Sequence, residues 1–287
     1  MSAAQQPIYG PNPWQQAHWD WRAAGNFMAG GAGGGLIIFA VLSGASGLPG
    51  TLLLLAGLGL VGLGLLCVWL EIGRPLRAMN VMFNPRTSWM SRESLAATLL
   101  FGLGLSTVAG AHSFVALVAL TALAFVYCQG CLLQAAKGIP AWREPLLVPL
   151  IIATALAEGA GLFWLATAWL APVSQVLAAL FGVLLLLRGL LWFVWRQRIG
   201  STASPRALAV LDRSGLNLQW LGGALPLALT VLAGSGLADE SVGALLMAVA
   251  GLLTAATGAF FKFTLVTRAG FNQGFSLTRL PVRGVPR

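Results

Sequence analysis

The sequence predicts an all-α integral membrane protein with eight transmembrane helices, and three observations predict it. The 287-residue chain is 57% hydrophobic and 9% charged, with a mean hydropathy of +0.82; soluble chains carry about 25% charged residues. Eight apolar runs approach the roughly 20 residues that a spanning helix needs: 22–42, 48–70, 92–112, 113–135, 145–168, 172–195, 219–237 and 241–265. Lys and Arg fall almost wholly in alternate connectors. The count suits a four-plus-four arrangement, two four-helix bundles, framed by tails at 1–21 and 266–287.

The first run carries Gly25, Gly30, Gly31, Gly33, Gly34 and Gly35. Small residues four apart let helices approach closely; a smooth groove for a flat ring or tail is the other reading. The second run repeats the theme at Gly57, Gly59, Gly62 and Gly64, and Pro75 ends it because proline removes a donor. Ser91 reads as the N-cap of the third helix with Glu93 as a first-turn acid. Glu93 is then either a helix-terminal charge or a working carboxylate.

The fifth and sixth runs each hold a deep charge, Glu158 and Arg188. A charge at mid-bilayer costs roughly 2.5–3.5 kcal/mol on insertion scales and faces inward toward a partner. The two pair with each other, as a structural pair or a proton path, or Glu158 is protonated. Lys262, near the end of the last run, is expected to snorkel to the interface.

With eight spans, both termini and the connectors 71–91, 136–144 and 196–218 share one side. That side carries 15 of the 17 Lys and Arg; Arg188 and Lys262 lie within spans, and the opposite side has His112, Asp239 and Glu240. The positive-inside rule makes the charged side cytoplasmic, in a bacterial or archaeal cytoplasmic (inner) membrane. The net charge of +9 then serves acidic lipid and an acidic partner rather than nucleic acid. Met1–Trp21 lacks the pattern of a cleaved signal peptide. The longest connector is 23 residues, so cofactor chemistry of any size is expected on another polypeptide.

Cys128 and Cys131 form C-x-x-C and Cys67 is the third thiol, short of the four ligands of a structural metal or iron–sulfur site. They read as small residues at helix contacts, and no metal is expected. His18 and His112 belong to opposite membrane faces and cannot pair as haem ligands, so no haem is expected in this chain.

The stretch Glu71–Glu93, EIGRPLRAMNVMFNPRTSWMSRE, holds Glu71, Arg74, Arg77, Arg86, Arg92 and Glu93 together with Trp89. A connector needs only a few polar residues to reverse. Two carboxylates, four guanidiniums and an indole at one membrane surface point to a ligand or a partner.

Glu71-Ile72-Gly73-Arg74-Pro75-Leu76-Arg77-Ala78 and Ser88-Trp89-Met90-Ser91-Arg92-Glu93 resemble the H-L-G-[RS]-P…R-A…S-x-x-S-[RN]-E signature of the dimethyl sulfoxide reductase membrane-anchor family. The glycine-rich run after Trp19-Asp20-Trp21 is similar to the wider polysulfide reductase/NrfD-type anchors. The resemblance implies eight spans and a haem-free anchor. Such an anchor holds a ferredoxin-like iron–sulfur subunit and a molybdopterin (Mo or W) catalytic subunit at the membrane, and exchanges electrons with ubiquinone or menaquinone. The family's quinol-binding acid matches Glu93. Its histidine at the start of the first block is replaced by Glu71, whose carboxylate titrates far below imidazole unless its surroundings raise it. With the signature on the cytoplasmic side, the chain resembles anchors of phenylacetyl-CoA:acceptor oxidoreductases, whose aryl-acetyl-CoA substrates are cytoplasmic.

A quinone site needs donors to the carbonyl oxygens, a proton-exchanging group and an apolar slot. Arg74, Trp89 and Arg92 are the expected donors, Glu71 and Glu93 the titratable groups, and Trp21 and Asn26 the outer candidates. Trp14, Trp19, Arg77, Arg86, Trp142 and Arg143 are the expected docking face for the iron–sulfur subunit. Two other functions compete. A secondary transporter would use Glu158 and Arg188 as its midplane site, although the sequence shows no interrupted helices in matching halves. A purely structural anchor would have no quinone site.

Overall fold

A computed structural model describes residues 10, 12–72, 75–170 and 172–275, with the backbone alone for 75–77. Eight long helices run through it: α1 (Trp21–Leu42), α2 (Gly47–Glu71), α3 (Trp89–Val108), α4 (His112–Ala135), α5 (Leu147–Thr167), α6 (Gln175–Ile199), α7 (Pro205–Gly234) and α8 (Glu240–Thr267). Among the described residues the extended structure is one isolated bridge, Gln15 to Phe271. Seven of the helices are long and apolar enough to cross a membrane, which makes this a multi-pass membrane protein. The exception is α3, the expected third span, because Arg92 and Glu93 near its start lower its mean hydropathy.

Two local expectations are corrected. Ser91 is not the N-cap of α3. The helix starts at Trp89, and the Ser88 side chain caps it by accepting from the Ser91 amide at 3.3 Å. Glu93 is therefore the fifth helical residue, past the first-turn position where the dipole alone would account for it. The stretch 196–218, expected as a connector, is largely helical from Pro205. Ser204 caps that helix and proline suits its first position. Its apolar stripe of Ala207, Leu211 and Leu218 is buried, and Asp212 takes a two-pronged ion pair from Arg196 at 2.6 and 2.8 Å.

The most buried of the spans is α5, which packs against α1, α4, α6 and α8. Glycine sets the closeness of two of these contacts. A Cβ on Gly159 would fall 1.9 Å from the Gly35 carbonyl carbon, and one on Gly251 would fall 2.2 Å from the Gly161 oxygen. The atoms in the way are backbone, so nothing can yield. In lipid, where helices gain nothing from hiding apolar side chains from one another, such close backbone contact is a main source of association.

Two spans are interrupted by π turns, α1 at Asn26–Gly30 and α7 at Trp220–Ala224. The described parts of the two tails lie against each other. Gln16 N donates to Gly270 O (2.8 Å), Asn272 N to Trp14 O (3.0 Å) and Gln15 Nε2 to Thr267 O (2.5 Å).

Gly159→Ala is expected to destabilise the detergent-solubilised protein by about 1–3 kcal/mol, the usual cost of overpacking. Gly59→Ala, on α2 with nothing within 4 Å of the added methyl, should leave the unfolding midpoint unchanged. Equal midpoints for the two variants in thermal unfolding would refute the close contact of Gly159 with the Gly35 backbone.

Candidate functional site

The segment that carries most of the connector chemistry places Glu93 inside the protein. Its carboxylate is 3% exposed and accepts from Asn26 Nδ2 at 2.8 Å. Asn26 opens the π turn of α1 and is itself buried. Its main-chain oxygen accepts from Gln129 Nε2 of α4 at 2.9 Å. Asn26 Oδ1 and Gln129 Oε1, both buried, accept no hydrogen bond among the described residues.

Beside this pair lies a cavity of about 200 Å³ whose wall includes Asn26, Phe27, Trp19, Val68, Met90 and Glu71. Glu71 is the last residue of α2 and is partly exposed. Arg22 closes the end of α2 from outside, donating from Nη1 to Leu70 O at 3.0 Å while it pairs with Asp20 at 2.9 Å. The Arg22 hydrogen bond holds the Asp20 carboxyl below its ordinary range.

The remaining sequence candidates are divided. Trp21 faces outward, 58% exposed. Arg92 stacks on Trp89, 4.1 Å from its ring centroid, and donates to Pro85 O (2.7 Å) and Arg86 O (2.9 Å), so two of its nitrogens hold the connector's shape. Trp89 also meets Tyr127 edge-on at 5.7 Å. Arg74 lies outside the described residues, as does the side chain of Arg77. Trp142, expected on the docking face, is corrected to a core residue: 1% exposed, packed against Trp19 with the rings tilted by 32°, and donating to Leu265 O at 3.1 Å.

A second polar group lies deeper. Lys262 Nζ meets Glu158 Oε2 at 2.5 Å, and both side chains are 0% exposed. The same nitrogen donates to Phe27 O at 2.6 Å, within the π turn of α1, and lies 3.5 Å from Met28 O. The expected Glu158–Arg188 pair is thus replaced by Glu158–Lys262, and Lys262 does not snorkel. It faces α5 because Gly258, one turn earlier on α8, gives the Glu158 side chain room. Arg188, 1% exposed, donates from Nη2 to Gly222 O in the π turn of α7, and Thr254 Oγ1 approaches the same oxygen at 3.4 Å.

The two groups adjoin. A Cβ built on Gly31 would lie 2.6 Å from Lys262 Nζ and 3.3 Å from Gln129 Oε1. Glu93, Asn26, Gln129, Lys262 and Glu158 therefore form a nearly continuous buried polar line across five helices. Gln129 was missed by sequence reasoning, which weighed the cysteines around it. The available signal was an amide inside an apolar run. Among the described residues no His, Cys, Asp and Glu group has the makings of a metal site.

The chain matches no family model, and no curated protein is significantly similar to it.

The Lys262–Glu158 pair sets a stability test. Removing one partner of a buried pair strands the other charge, at a typical cost of about 3–5 kcal/mol. Lys262→Met should lower the thermal midpoint sharply, and adding Glu158→Gln should restore most of it. A double variant no better than Lys262→Met alone would contradict the pairing.

Proposed function

We propose that this chain is the quinone-reactive membrane anchor of an oxidoreductase complex, with its ring site in the cavity at Asn26 and Glu71. The observation that carries this reading is the buried Asn26–Glu93 hydrogen bond at the side of an apolar-walled cavity. The cavity is smaller than the roughly 300–1,000 Å³ of drug-sized ligand sites, which suits one ring with its tail in lipid. The unpaired Asn26 Oδ1 suits a hydroxyl donor, as the reduced carrier has. Glu93 then takes a hydroxyl proton directly, the quinol O–H bond breaking as an O–H bond forms on the carboxylate while Asn26 orients both, and Glu71, partly exposed, exchanges protons with the aqueous side. The resemblance of the Glu71–Ala78 and Ser88–Glu93 blocks to the dimethyl sulfoxide reductase anchors points the same way.

Eight spans are part of the proposal. The two tails meet at one end of the protein, so an even number of crossings separates them. Seven apolar spans need α3 as the eighth. Helices α1–α4 pack among themselves, as do α5–α8, and the two sets meet through α1 and α4 on one side and α5 and α8 on the other, which supports two four-helix bundles joined along a broad seam. The excess of Lys and Arg on the face carrying both tails makes that face cytoplasmic. There Trp14, Phe83 and Arg86 stand exposed for an iron–sulfur subunit, which in turn serves a molybdopterin catalytic subunit.

A second reading, ion-coupled transport, draws support from the structure that the sequence did not offer. Both α1 and α7 are interrupted by π turns, and each interruption presents a carbonyl to a buried cation. Purification separates the two: an anchor co-purifies with iron–sulfur and molybdenum or tungsten subunits, a transporter alone.

Glu93→Gln is expected to abolish quinone-linked turnover of the intact complex while dye-linked activity of the soluble subunits survives; unchanged quinone kinetics would sink the site. Asn26→Ala, which removes a hydrogen bond to a charged group worth about 1.5–3 kcal/mol, should weaken binding of a short-chain quinol at least tenfold in a fluorescence titration. Reporter fusions at Gly44 and Asp239 should read external and one in the 200–204 turn internal. An internal signal at Asp239 overturns the eight-span topology.

A further inference from the structure

We propose that Glu158, held by Lys262, is an intramembrane proton-binding site that answers to the cavity through Gln129 and Asn26. Glu158 lies 11 residues along α5 from Leu147, about 16 Å of helix rise, near the middle of its span. Its Oε2 is engaged by Lys262, whereas its Oε1, buried, accepts no hydrogen bond among the described residues. That carboxylate has one oxygen free to carry a proton. Lys262 is placed to survive the change, since the Phe27 and Met28 carbonyls remain to it when Glu158 is neutral.

The charged groups facing Glu158 are Lys262 from α8 and Arg188 from α6, whose Nη1 is buried and likewise without a hydrogen bond among the described residues. From α1 come the two carbonyls, and from the α3 and α4 side the Glu93–Asn26–Gln129 group reaches Lys262 across Gly31. A structural ion pair needs no such connection. Here the pair touches the π turn whose first residue, Asn26, lines the cavity. A change of charge at Glu93 is therefore felt at Lys262 through two hydrogen bonds and one glycine-wide gap. The chemical step is a proton transfer alone: an O–H bond breaks at the donor, one forms at a carboxylate oxygen, and any electrons leave by the partner subunits. The coupling to the cavity rests on the function proposed above; the proton site does not.

The test is difference infrared spectroscopy in the carboxylic-acid region on the purified full chain in lipid. Titration runs across about pH 4 to 10, which brackets the carboxyl and ammonium ranges. A titrating band is expected in the unaltered chain, absent in Glu158→Gln and shifted in Lys262→Met. If Glu158→Gln fails to fold, Glu158→Asp should move the band rather than delete it. No Glu158-dependent band anywhere in the titration overturns the proposal. Decylubiquinol and decylubiquinone are then added in turn. A Glu158 band that differs between them supports the coupling, and Gly31→Ala, which crowds the gap, should diminish that difference. A band that titrates yet ignores both compounds keeps the proton site and counts against the coupling. Loss of decylubiquinol binding itself would count against the cavity and leave the titrating band standing.

Discussion

Lys262 brings an ammonium group into a region with no solvent to screen it, and much of the arrangement around it follows. An ammonium group has three hydrogens to place. One goes to Glu158, and the nearest oxygens for the others are main-chain carbonyls of α1. A helix carbonyl keeps a second lone pair beyond the one its own ladder uses, and the two carbonyls of α1 nearest Lys262 lie in the π turn at Asn26–Gly30. The turn widens the helix, and α2 accommodates it with Gly64, whose added Cβ would fall 2.8 Å from the Gly30 nitrogen. The pair therefore binds three helices, α1, α5 and α8, and the Gly35–Gly159 and Gly161–Gly251 contacts bring their backbones close enough for it to form.

The same solution recurs around Arg188, where the π turn of α7 gives up the Gly222 carbonyl and a glycine again makes the room. A Cβ at Gly222 would meet Thr257 Oγ1 at 2.0 Å. Helix interruption in a bilayer is tolerated where neighbouring groups satisfy the released backbone. Here the neighbours are cations, so each interruption and each buried charge accounts for the other.

The helical membrane class was legible in the sequence because lipid demands long apolar runs and imposes charge asymmetry on connectors, and both survive without tertiary knowledge. The shortfall of α3 was not foreseen, since the run 92–112 was counted with the others although Arg92 and Glu93 sit at its edge. Nor was pairing. Glu158 was seen to need a partner, but spacing along the chain cannot say which face of α8 carries Lys262, and the snorkelling expectation treated that residue as free to choose the interface. Gly258 and the π turn decide otherwise, and a π turn has no firm sequence signature. Asn26 and Glu93 were singled out separately, yet Gln129, the amide that leads from them toward the interior, hid between two cysteines that drew attention for their spacing. Trp142 misled in the opposite sense: aromatic residues near connectors favour interfaces in general, but this one found Trp19 and a carbonyl of the last helix first.

The buried charges also balance, which bears on why the line is built as it is. Among the described residues four ionisable side chains of Asp, Glu, Lys and Arg are buried: Glu93, Glu158, Arg188 and Lys262, two of each sign. The chain as a whole carries +9, so its excess lies on the connectors and tails, where water and lipid headgroups screen it. A neutral core is the arrangement that a low-dielectric interior penalises least. Gaining one proton at either carboxylate breaks that neutrality, and the other three groups feel the change because little screens them. Two amides separate Glu93 from Lys262, each giving its N–H and keeping its carbonyl oxygen unused. Amides carry no charge, so they hold the acid near the surface and the pair near the midplane in one network without settling the balance themselves. An acid at the cavity and an acid in the interior thus belong to one buried polar network.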